Sequence, residues 1–195
     1  LVGDAKALLP QLAGPRRPRR RDEWTAEIHA QKREKSVDHY RRGLSPETIL
    51  QALHDATGGR VNVVADVGQH QMWVAKLFPY RRPNQHFSSG GLGSMGFAVP
   101  AAMGVWLARP DEPVWAISGD GGFQMNMQEI ATMRQEQLPV KLAIFNNGYL
   151  GMVRQWQQFF HGRRYSQTPI WSPDYVKLAD AYGIPGWRVE ASDEI

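Results

Sequence analysis

Two short apolar runs, residues 113–118 and residues 140–145, constrain the fold of this chain more than any other feature. Each run stops where small or polar residues begin, as expected of a buried parallel strand. The residues that recur at helical spacing between the two runs are Phe123, Met127, Ile130 and Met133. This pattern predicts a strand, a helix and a second, parallel strand, because parallel neighbours need a crossover connection. The carboxyl ends of both strands then lie at one edge of the sheet, where open α/β folds bind ligands.

A polar motif follows each of the two runs. Gly119-Asp120-Gly121 comes after the first run and Asn146-Asn147 after the second, with 24 residues between the two motifs. We therefore expect Asp120 and Asn147 to converge. A carboxylate and an amide oxygen are ligands that Mg²⁺ takes together with phosphate oxygens and water, and the flanking glycines allow a phosphate to approach the backbone. Each motif alone is typical of a turn, so the hypothesis of a metal–diphosphate site depends on their pairing at strand ends.

With these motifs the chain resembles the thiamine-diphosphate enzyme family, in which a Gly-Asp-Gly and a later Asn-Asn form the cofactor motif. Within that family it is most similar to the acetolactate synthases, also called acetohydroxyacid synthases, in their large, catalytic subunit. The similarity extends from near Ser45 to near Glu190. It rests on residues 66–73 (DVGQHQMW), 89–97 (SGGLGSMGF), 119–129 (GDGGFQMNMQE) and 146–156 (NNGYLGMVRQW).

The resemblance implies a set of cofactor ligands. Asp120 and Asn147 would bind Mg²⁺ through their side chains, and Tyr149 would bind it through its backbone carbonyl. The residues that the resemblance places around the diphosphate are Gly68, Gln69, His70, Gly121 and Gly122. Amide, imidazole and backbone N–H groups are donors suited to phosphate oxygens. On the residues alone, a helix-capping or surface position for His70 is equally consistent.

A glycine-rich stretch, residues 90–96, leads into an apolar segment, residues 98–106, that is typical of a helix with a proline in its first turn. We expect the stretch to form a pocket wall with its backbone. The resemblance implies that main-chain groups near Gly93 and Met95 hold the aminopyrimidine, and that the Met95 side chain separates the two rings of a bent cofactor. A flexible loop with Met95 in the core is the alternative.

Three residues just after the metal motif, Met152, Val153 and Trp156, fall on one face of a predicted helix. The resemblance implies that this face borders the substrate channel and that Met152 also contacts the cofactor. Ordinary core packing is the alternative, because apolar stripes at this spacing usually pack in a core.

The resemblance also implies an activity, in which thiamine diphosphate supports decarboxylation of pyruvate and transfer of the two-carbon unit to a second 2-ketoacid in branched-chain amino-acid biosynthesis. The family uses a glutamate from the N-terminal domain of a neighbouring subunit, and we find no counterpart here; Glu129 is expected to be structural. We therefore expect no catalytic residue in this chain, an inactive fragment when alone, and a homodimer or tetramer when complete. The alternatives are another thiamine-diphosphate 2-ketoacid enzyme, such as an oxidase, decarboxylase or glyoxylate carboligase, and a noncatalytic assembly module.

Two further partners follow from the same resemblance. FAD, which these synthases also bind, is expected to contact mainly a central domain that this chain lacks. A regulatory small subunit is a further expected partner of the complete enzyme. The residues do not indicate which second ketoacid is preferred.

The charge of the chain is unevenly distributed, with a net charge of +5 over residues 1–45 and −1 over residues 46–195, which together give +4. We expect residues 1–44 to be the end of a central domain and a basic, extended interdomain linker, and residues 45–195 to be the C-terminal thiamine-diphosphate and Mg²⁺ domain. The basic residues lack the interleaved aromatic residues of a nucleic-acid binder, so no nucleic-acid partner is expected.

The cofactor domain is predicted to begin with a helix that Ser45 caps and Pro46 enters. The inner face of this helix would hold Ile49, Leu50, Leu53 and His54. Strands near residues 61–65, 115–118, 140–145 and 186–189, with helices between them, predict an α/β fold. We expect a mainly parallel sheet with helices on both faces, the thiamine-diphosphate-binding fold.

Composition excludes several classes of protein. The chain has no cysteine, which rules out disulfides, thiolate catalysis and cysteine zinc sites. No apolar run reaches the length of a membrane span, so no membrane partner is expected. The chain does not begin with Met, so we expect the native N-terminus, with any targeting signal, to lie outside it. A cytoplasmic location is expected from the resemblance to bacterial-type synthases.

Overall fold

The structure is a computed structural model that describes residues 2–13, 21–34 and 43–195. The chain divides into two compact units, residues 1–38 and residues 39–195. In the first unit the structure describes two helices, α1 (Ala5–Ala13) and α2 (Asp22–Glu34). Most of the predicted basic linker, residues 14–20 and 35–42, lies outside the described residues. Most of residues 21–34, which lie between these two segments, form the helix α2 and are not extended. The acidic residues in the first turn of α2 favour a helix.

The second unit contains the predicted cofactor domain. In chain order its elements are α3 (Pro46–Ala56), β1 (Asn62–Ala65), α4 (Gln69–Leu77), β2 (His86–Ser88), α5 (Ala98–Ala108), β3 (Val114–Gly119), α6 (Asp120–Asn126), a 3₁₀ turn at Met127–Glu129, α7 (Ile130–Gln135), β4 (Lys141–Phe145), α8 (Gly151–Phe160), α9 (Tyr175–Ala181) and a 3₁₀ turn at Ser192–Glu194. No helix in the described part of the chain has the length and apolar character that crossing a bilayer requires.

The four strands form one sheet in the order β2-β1-β3-β4, and every neighbouring pair is parallel. In this register Val64 of β1 lies beside Phe87 of β2 and Ala116 of β3. The central strands β1 and β3 are almost wholly buried. The predicted α/β fold with a parallel sheet is therefore confirmed.

One predicted strand is wrong. Residues 186–189 belong to no strand, and Trp187 within them is 82% exposed. Pro185 just before them lacks the N–H that a sheet would use. The fourth strand is instead β2, whose three residues and polar neighbours form no apolar run that the sequence could reveal.

Successive residues of a strand point to opposite faces of the sheet, so each face has its own core cluster. Helices cover both faces. Val63 and Ala65 belong to one core cluster, whereas Val64 belongs to the other. The buried residues that complete the first cluster are Leu50, Leu53, Val61, Val74, Phe78 and Ile117. Those that complete the second are Ala98, Val99, Ala102, Val114, Ala116, Phe123, Ile130, Met133, Leu138 and Val140. The prediction of helices on both faces is confirmed.

Helix α3 begins as the sequence predicts. The Ser45 hydroxyl accepts the Thr48 N–H, the Thr48 hydroxyl accepts the Ser45 N–H, and Pro46 occupies the first helical position. On the inner face, Leu50, Leu53 and His54 are buried and Ile49 is half-buried.

The predicted crossover helix is interrupted. Its apolar face is placed correctly, since Phe123, Ile130 and Met133 are buried, but the 3₁₀ turn separates α6 from α7. Asn126, which precedes the turn, leaves the helical region with φ −136° and donates its side-chain N–H to the Gly96 carbonyl at 2.7 Å. The interruption therefore ties the crossover to the glycine-rich stretch.

The strand order places a ligand crevice between β1 and β3. From β1 the chain passes through α4 to β2 on one side, and then through α5 to β3 on the other side of β1. In open α/β sheets ligands bind outside the carboxyl ends of the strands where the order reverses. Residues 66–70 and 119–121 both lie at this point.

The carboxylate of Asp66 holds the crevice together. Asp66 is 0% exposed and directly follows β1. Its Oδ1 accepts N–H groups from Val67 at 2.7 Å and Gly96 at 2.9 Å, and its Oδ2 accepts the Ala98 N–H at 3.0 Å. One side chain thus joins the end of β1, the glycine-rich stretch and the start of α5.

Removing the Asp66 carboxylate should destabilise the domain. Asp66→Ala leaves three backbone N–H groups without their acceptor, so the free energy of unfolding is expected to fall by about 3 kcal/mol or more. Asp66→Asn retains one acceptor oxygen and should lose less. Urea unfolding followed by circular dichroism measures both.

The matched control is Asp111→Ala, because Asp111 is an exposed aspartate in the turn before β3. It should remain within about 0.5 kcal/mol of the unsubstituted chain. Equal losses for the Asp66 and Asp111 variants would show that the buried carboxylate does not have this role.

Candidate functional site

A cavity of about 100 Å³ lies at the carboxyl ends of β1 and β3. The predicted site residues that line it are Gly68, Gln69, His70, Met95, Asp120, Gly121, Gly122, Asn147, Tyr149, Met152 and Val153. Two predicted site residues, Gly93 and Trp156, are not among its lining residues. Ligand pockets usually enclose roughly 300–1,000 Å³, so this cavity is smaller than a typical ligand pocket.

The two polar motifs meet, as the sequence predicts. The Gly148 N–H donates to Asp120 Oδ2 at 2.7 Å, and the Gly121 N–H donates to Asp120 Oδ1 at 2.9 Å. Asp120 is 2% exposed, whereas Asn147 is exposed and its Oδ1 accepts the Tyr149 N–H at 3.0 Å. Gly148 has φ +71°, a conformation that favours glycine, so the turn after Asn147 can bend towards the Asp120 carboxylate.

These oxygens fit a hard divalent cation. A carboxylate offers about four lone-pair positions, so the two N–H groups leave Asp120 with acceptor capacity. Asn147 adds an amide oxygen. The described residues contain no group of three or more His, Cys, Asp or Glu side chains that could hold a metal. A cation here would therefore need amide, backbone, phosphate or water oxygens besides Asp120, which is the environment that Mg²⁺ accepts.

The glycines after Asp120 keep the backbone accessible. A Cβ at Gly121 would lie 2.8 Å from Leu150 Cδ2 and 3.6 Å from Met95 Cε. A Cβ at Gly122 would lie 2.8 Å from Asp66 Oδ1. Neighbouring side chains therefore already fill the space beside both residues. A residue larger than glycine at either position would have to displace them.

His70 is buried in the first turn of α4, with 5% of its surface exposed. Its Nε2 accepts the Gly119 N–H at 3.2 Å, which ties α4 to the end of β3. Burial lowers the pKa of His70 to about 4, although the charge of Asp66 and a hydrogen bond with its backbone act in the opposite direction. The imidazole is therefore neutral near pH 7, and the surface alternative for His70 is wrong.

Gln69 connects α4 to α8. Its Nε2 donates to Gln155 Oε1 at 2.8 Å, a partner that the sequence analysis missed because the two residues lie far apart in the chain. A Cβ at Gly151 would overlap Gln69 Oε1, so a larger first residue of α8 would have to displace the Gln69 side chain. At Gly68 a Cβ would lie 2.5 Å from the His70 ring.

The glycine-rich stretch is fixed at its second half. Asp66 accepts N–H groups on both sides of Phe97, and the Asn126 side chain holds the Gly96 carbonyl. Met95 is half-buried, lines the cavity and reaches Gly121 with its terminal methyl group. These hydrogen bonds connect this half of the stretch to Asp66 and Asn126. Gly93 is exposed, with φ +65°.

Helix α8 brings apolar residues to the cavity. Met152 and Val153 line it, whereas Trp156 lies one turn further and packs against Phe160, with ring centroids 5.5 Å apart. Trp156 is 59% exposed, so the alternative of core packing is wrong for this residue. The other lining residues, which the sequence analysis did not assign to the site, are Val67, Trp73, Gly119, Phe145, Leu150 and Gly151.

The buried His70 should make the domain sensitive to acid. Its folded pKa of about 4 lies below the value of 6.5 for an unperturbed histidine, so between these two pH values the unfolded chain binds the extra proton. Stability should therefore fall as the pH drops from about 6.5 to about 4, by about 3 kcal/mol from this group.

His70→Gln keeps an acceptor for the Gly119 N–H and cannot titrate. Urea unfolding of this variant between pH 7 and pH 4.5 should show a shallower loss of stability than the unsubstituted chain. His161→Gln, at an exposed histidine, is the control and should retain the steep loss. The same pH dependence in the His70 variant and the unsubstituted chain would contradict this account.

Comparison with known proteins identifies the family. Residues 66–195 match the family model of the thiamine pyrophosphate enzyme, C-terminal TPP binding domain. An acetolactate synthase of Mycobacterium leprae is 52% identical to the chain over 157 residues, which cover 78% of the chain and 25% of that relative. An acetolactate synthase of Mycobacterium bovis is 43% identical, with 100% of the chain and 34% of the relative covered. The acetolactate synthase isozyme 2 large subunit of Escherichia coli is 42% identical, with 100% and 36% covered.

The chain spans about a quarter to a third of the length of these relatives. The family match begins at Asp66 and includes every predicted site residue. The chain therefore belongs to the thiamine pyrophosphate enzyme family, through its C-terminal TPP-binding domain.

Proposed function

We propose that this chain is the cofactor domain of an acetolactate synthase and that it binds thiamine diphosphate together with Mg²⁺. The observation that carries the proposal is the 2.7 Å hydrogen bond from the Gly148 N–H to Asp120 Oδ2, which brings the two polar motifs together at the carboxyl edge of the sheet. The similarity to acetolactate synthases over 78–100% of the chain supports the choice within the family.

The Mg²⁺ ligands in this proposal are the Asp120 carboxylate, the Asn147 amide oxygen and the Tyr149 backbone carbonyl. All three residues line the cavity, and Asp120 is the only acidic residue among the lining residues of this cavity. A single carboxylate beside neutral oxygens leaves positive charge on the cation for the diphosphate to neutralise.

The diphosphate would be held by Gly68, Gln69, His70, Gly121 and Gly122. The first three lie at the start of α4, a helix of nine residues whose N-terminal N–H groups favour an anion. His70, one of these three, is neutral and its Nε2 accepts the Gly119 N–H, so its role would be to hold the end of β3 in place beside the anion. Main-chain groups near Gly93 and Met95 would hold the aminopyrimidine, with Met95 between the rings.

When bound, thiamine diphosphate supplies the carbanion chemistry that decarboxylates pyruvate and joins the two-carbon unit to a second 2-ketoacid. The residues of this chain bind and orient the cofactor. Met152, Val153 and Trp156 of α8 would border the substrate channel and exclude water from it. The exposure of Trp156 is consistent with a channel completed by other parts of the enzyme.

The proposal includes a partner subunit. The cavity has no glutamate among its lining residues, and its volume is below that of a closed ligand pocket. We therefore propose that a neighbouring copy supplies the glutamate in a homodimer or tetramer. FAD bound mainly by the rest of the polypeptide, a regulatory small subunit and a cytoplasmic location are also part of the proposal, and they rest on the similarity to synthases. Residues 1–44 would lead from the central domain into the cofactor domain.

Removal of the proposed acidic ligand should abolish metal-dependent binding. In the full-length protein, Asp120→Ala should weaken thiamine diphosphate binding in the presence of Mg²⁺ by about 100-fold or more, because the loss of even an outer-shell partner of a metal ligand commonly costs about 10- to 100-fold. Isothermal titration with and without Mg²⁺ measures this effect. Asp111→Ala is the matched control and should bind as the unsubstituted protein does. Unchanged Mg²⁺-dependent binding in the Asp120 variant would overturn the assignment of the metal site.

Product analysis distinguishes the proposed activity from those of other family members. The full-length protein, supplied under air with pyruvate, thiamine diphosphate, Mg²⁺, FAD and inorganic phosphate, should release carbon dioxide and acetolactate. Chromatography of the products can separate acetolactate from acetaldehyde and acetyl phosphate. Acetaldehyde as the main product would indicate a decarboxylase, and acetyl phosphate would indicate an oxidase; either result would contradict the proposed activity.

A further inference from the structure

Arg154 of α8 lies between two aromatic rings. Its guanidinium carbon is 4.8 Å from the centroid of the Tyr149 ring and 4.5 Å from that of the Tyr165 ring. Both distances are within the range of a cation–π interaction. Within residues 43–195 Arg154 forms no ion pair with an acidic side chain. The two tyrosine rings are therefore its main side-chain partners within those residues.

The two rings belong to segments that pair with each other. Tyr149 lies in the loop that follows Asn147, and Tyr165 lies at the start of a return segment, residues 165–170. The Leu150 N–H donates to the Thr168 carbonyl at 2.8 Å, and the Ile170 N–H donates to the Gly148 carbonyl at 2.9 Å. Between these bonds, Tyr149 and Pro169 form an isolated antiparallel bridge.

This pairing sets the direction of one carbonyl group. The Tyr149 carbonyl and the Leu150 N–H belong to the same peptide plane and point in opposite directions, because the peptide is trans. The bond from the Leu150 N–H to Thr168 therefore turns the Tyr149 carbonyl away from the return segment. A backbone ligand for a cation needs such a fixed direction, since the peptide plane would otherwise rotate.

We propose that Arg154 is a positioning residue for the metal site. By lying between Tyr149 and Tyr165, Arg154 holds the return segment against residues 147–150. This contact fixes the direction of the Tyr149 carbonyl. The inference rests on the proposed function, in which that carbonyl is a ligand of Mg²⁺. It also gives the Tyr149 side chain a role, which the sequence analysis did not expect.

The first test needs no cofactor. Amide hydrogen exchange of the chain, measured by NMR without ligands, reports the opening of the two bonds made by Leu150 and Ile170. Arg154→Gln removes the cation and should speed exchange at both amides by about fivefold or more, as expected for the loss of two partly exposed cation–π contacts. The Val63 amide in the central strand should be unchanged, which shows that the domain remains folded.

Conservative variants make this test specific. Arg154→Lys keeps a cation and should show a smaller increase in exchange than Arg154→Gln. Tyr165→Phe keeps the ring and should resemble the unsubstituted chain. The matched control is Arg60→Gln, at an exposed arginine just before β1 and so at the opposite edge of the sheet. Exchange at Leu150 and Ile170 that is the same in the Arg154→Gln and Arg60→Gln variants would overturn the proposal.

The second test asks whether the contact affects the metal. In the full-length protein, the Mg²⁺ concentration that half-saturates thiamine diphosphate binding should rise about fivefold for Arg154→Gln and remain unchanged for Arg60→Gln. Faster exchange with an unchanged Mg²⁺ requirement would overturn the positioning role and leave a purely structural contact. Failure of the unsubstituted protein to bind thiamine diphosphate would overturn the proposed function, and that result is visible without any variant.

Discussion

The buried carboxylate of Asp66 is the interaction on which the rest of the site depends. A carboxylate removed from water must find hydrogen-bond donors, and here all three come from backbone N–H groups of two different segments. Because Asp66 stands at the end of β1, these bonds fix the glycine-rich stretch and the start of α5 to the central strand. A side chain at position 122 would meet the same carboxylate, so a larger residue in the motif that follows β3 would have to displace it.

Around this carboxylate the chain builds one wall of a site. Each segment at the crevice is held by a contact with another one: His70 with Gly119, Gly148 with Asp120, and Gln69 with Gln155. The wall is polar and glycine-lined at the strand ends, and it is apolar where α8 contributes. The aromatic side chains Trp156, Phe159 and Phe160 remain exposed beyond it. This distribution agrees with the proposal that the other wall comes from a different subunit.

Local patterns in the sequence predicted much of this arrangement. Short apolar segments located β1, β3 and β4, and the capping residues with the apolar spacing after them located α3. The polar residues after β3 and β4 located Asp120 and Asn147. Strand β2 was missed because it contains no apolar run. It forms a strand because it pairs with β1. The break after Asn126 and the contact of Arg154 with Tyr149 and Tyr165 were missed for a related reason, since each depends on partners brought close only by the folded chain. The strand predicted at residues 186–189 is wrong, because strand propensity alone does not supply a neighbouring strand to pair with.

The central claim is that Asp120, Asn147 and the Tyr149 carbonyl hold a metal ion against thiamine diphosphate. The most direct measurement is a crystal structure of the full-length protein grown with thiamine diphosphate and Mn²⁺, whose anomalous scattering locates the ion. The account predicts one anomalous peak at the carboxyl ends of β3 and β4, within coordination distance of those three oxygens and of the diphosphate. A bound diphosphate with its metal on other residues, or a peak away from this edge of the sheet, would contradict it.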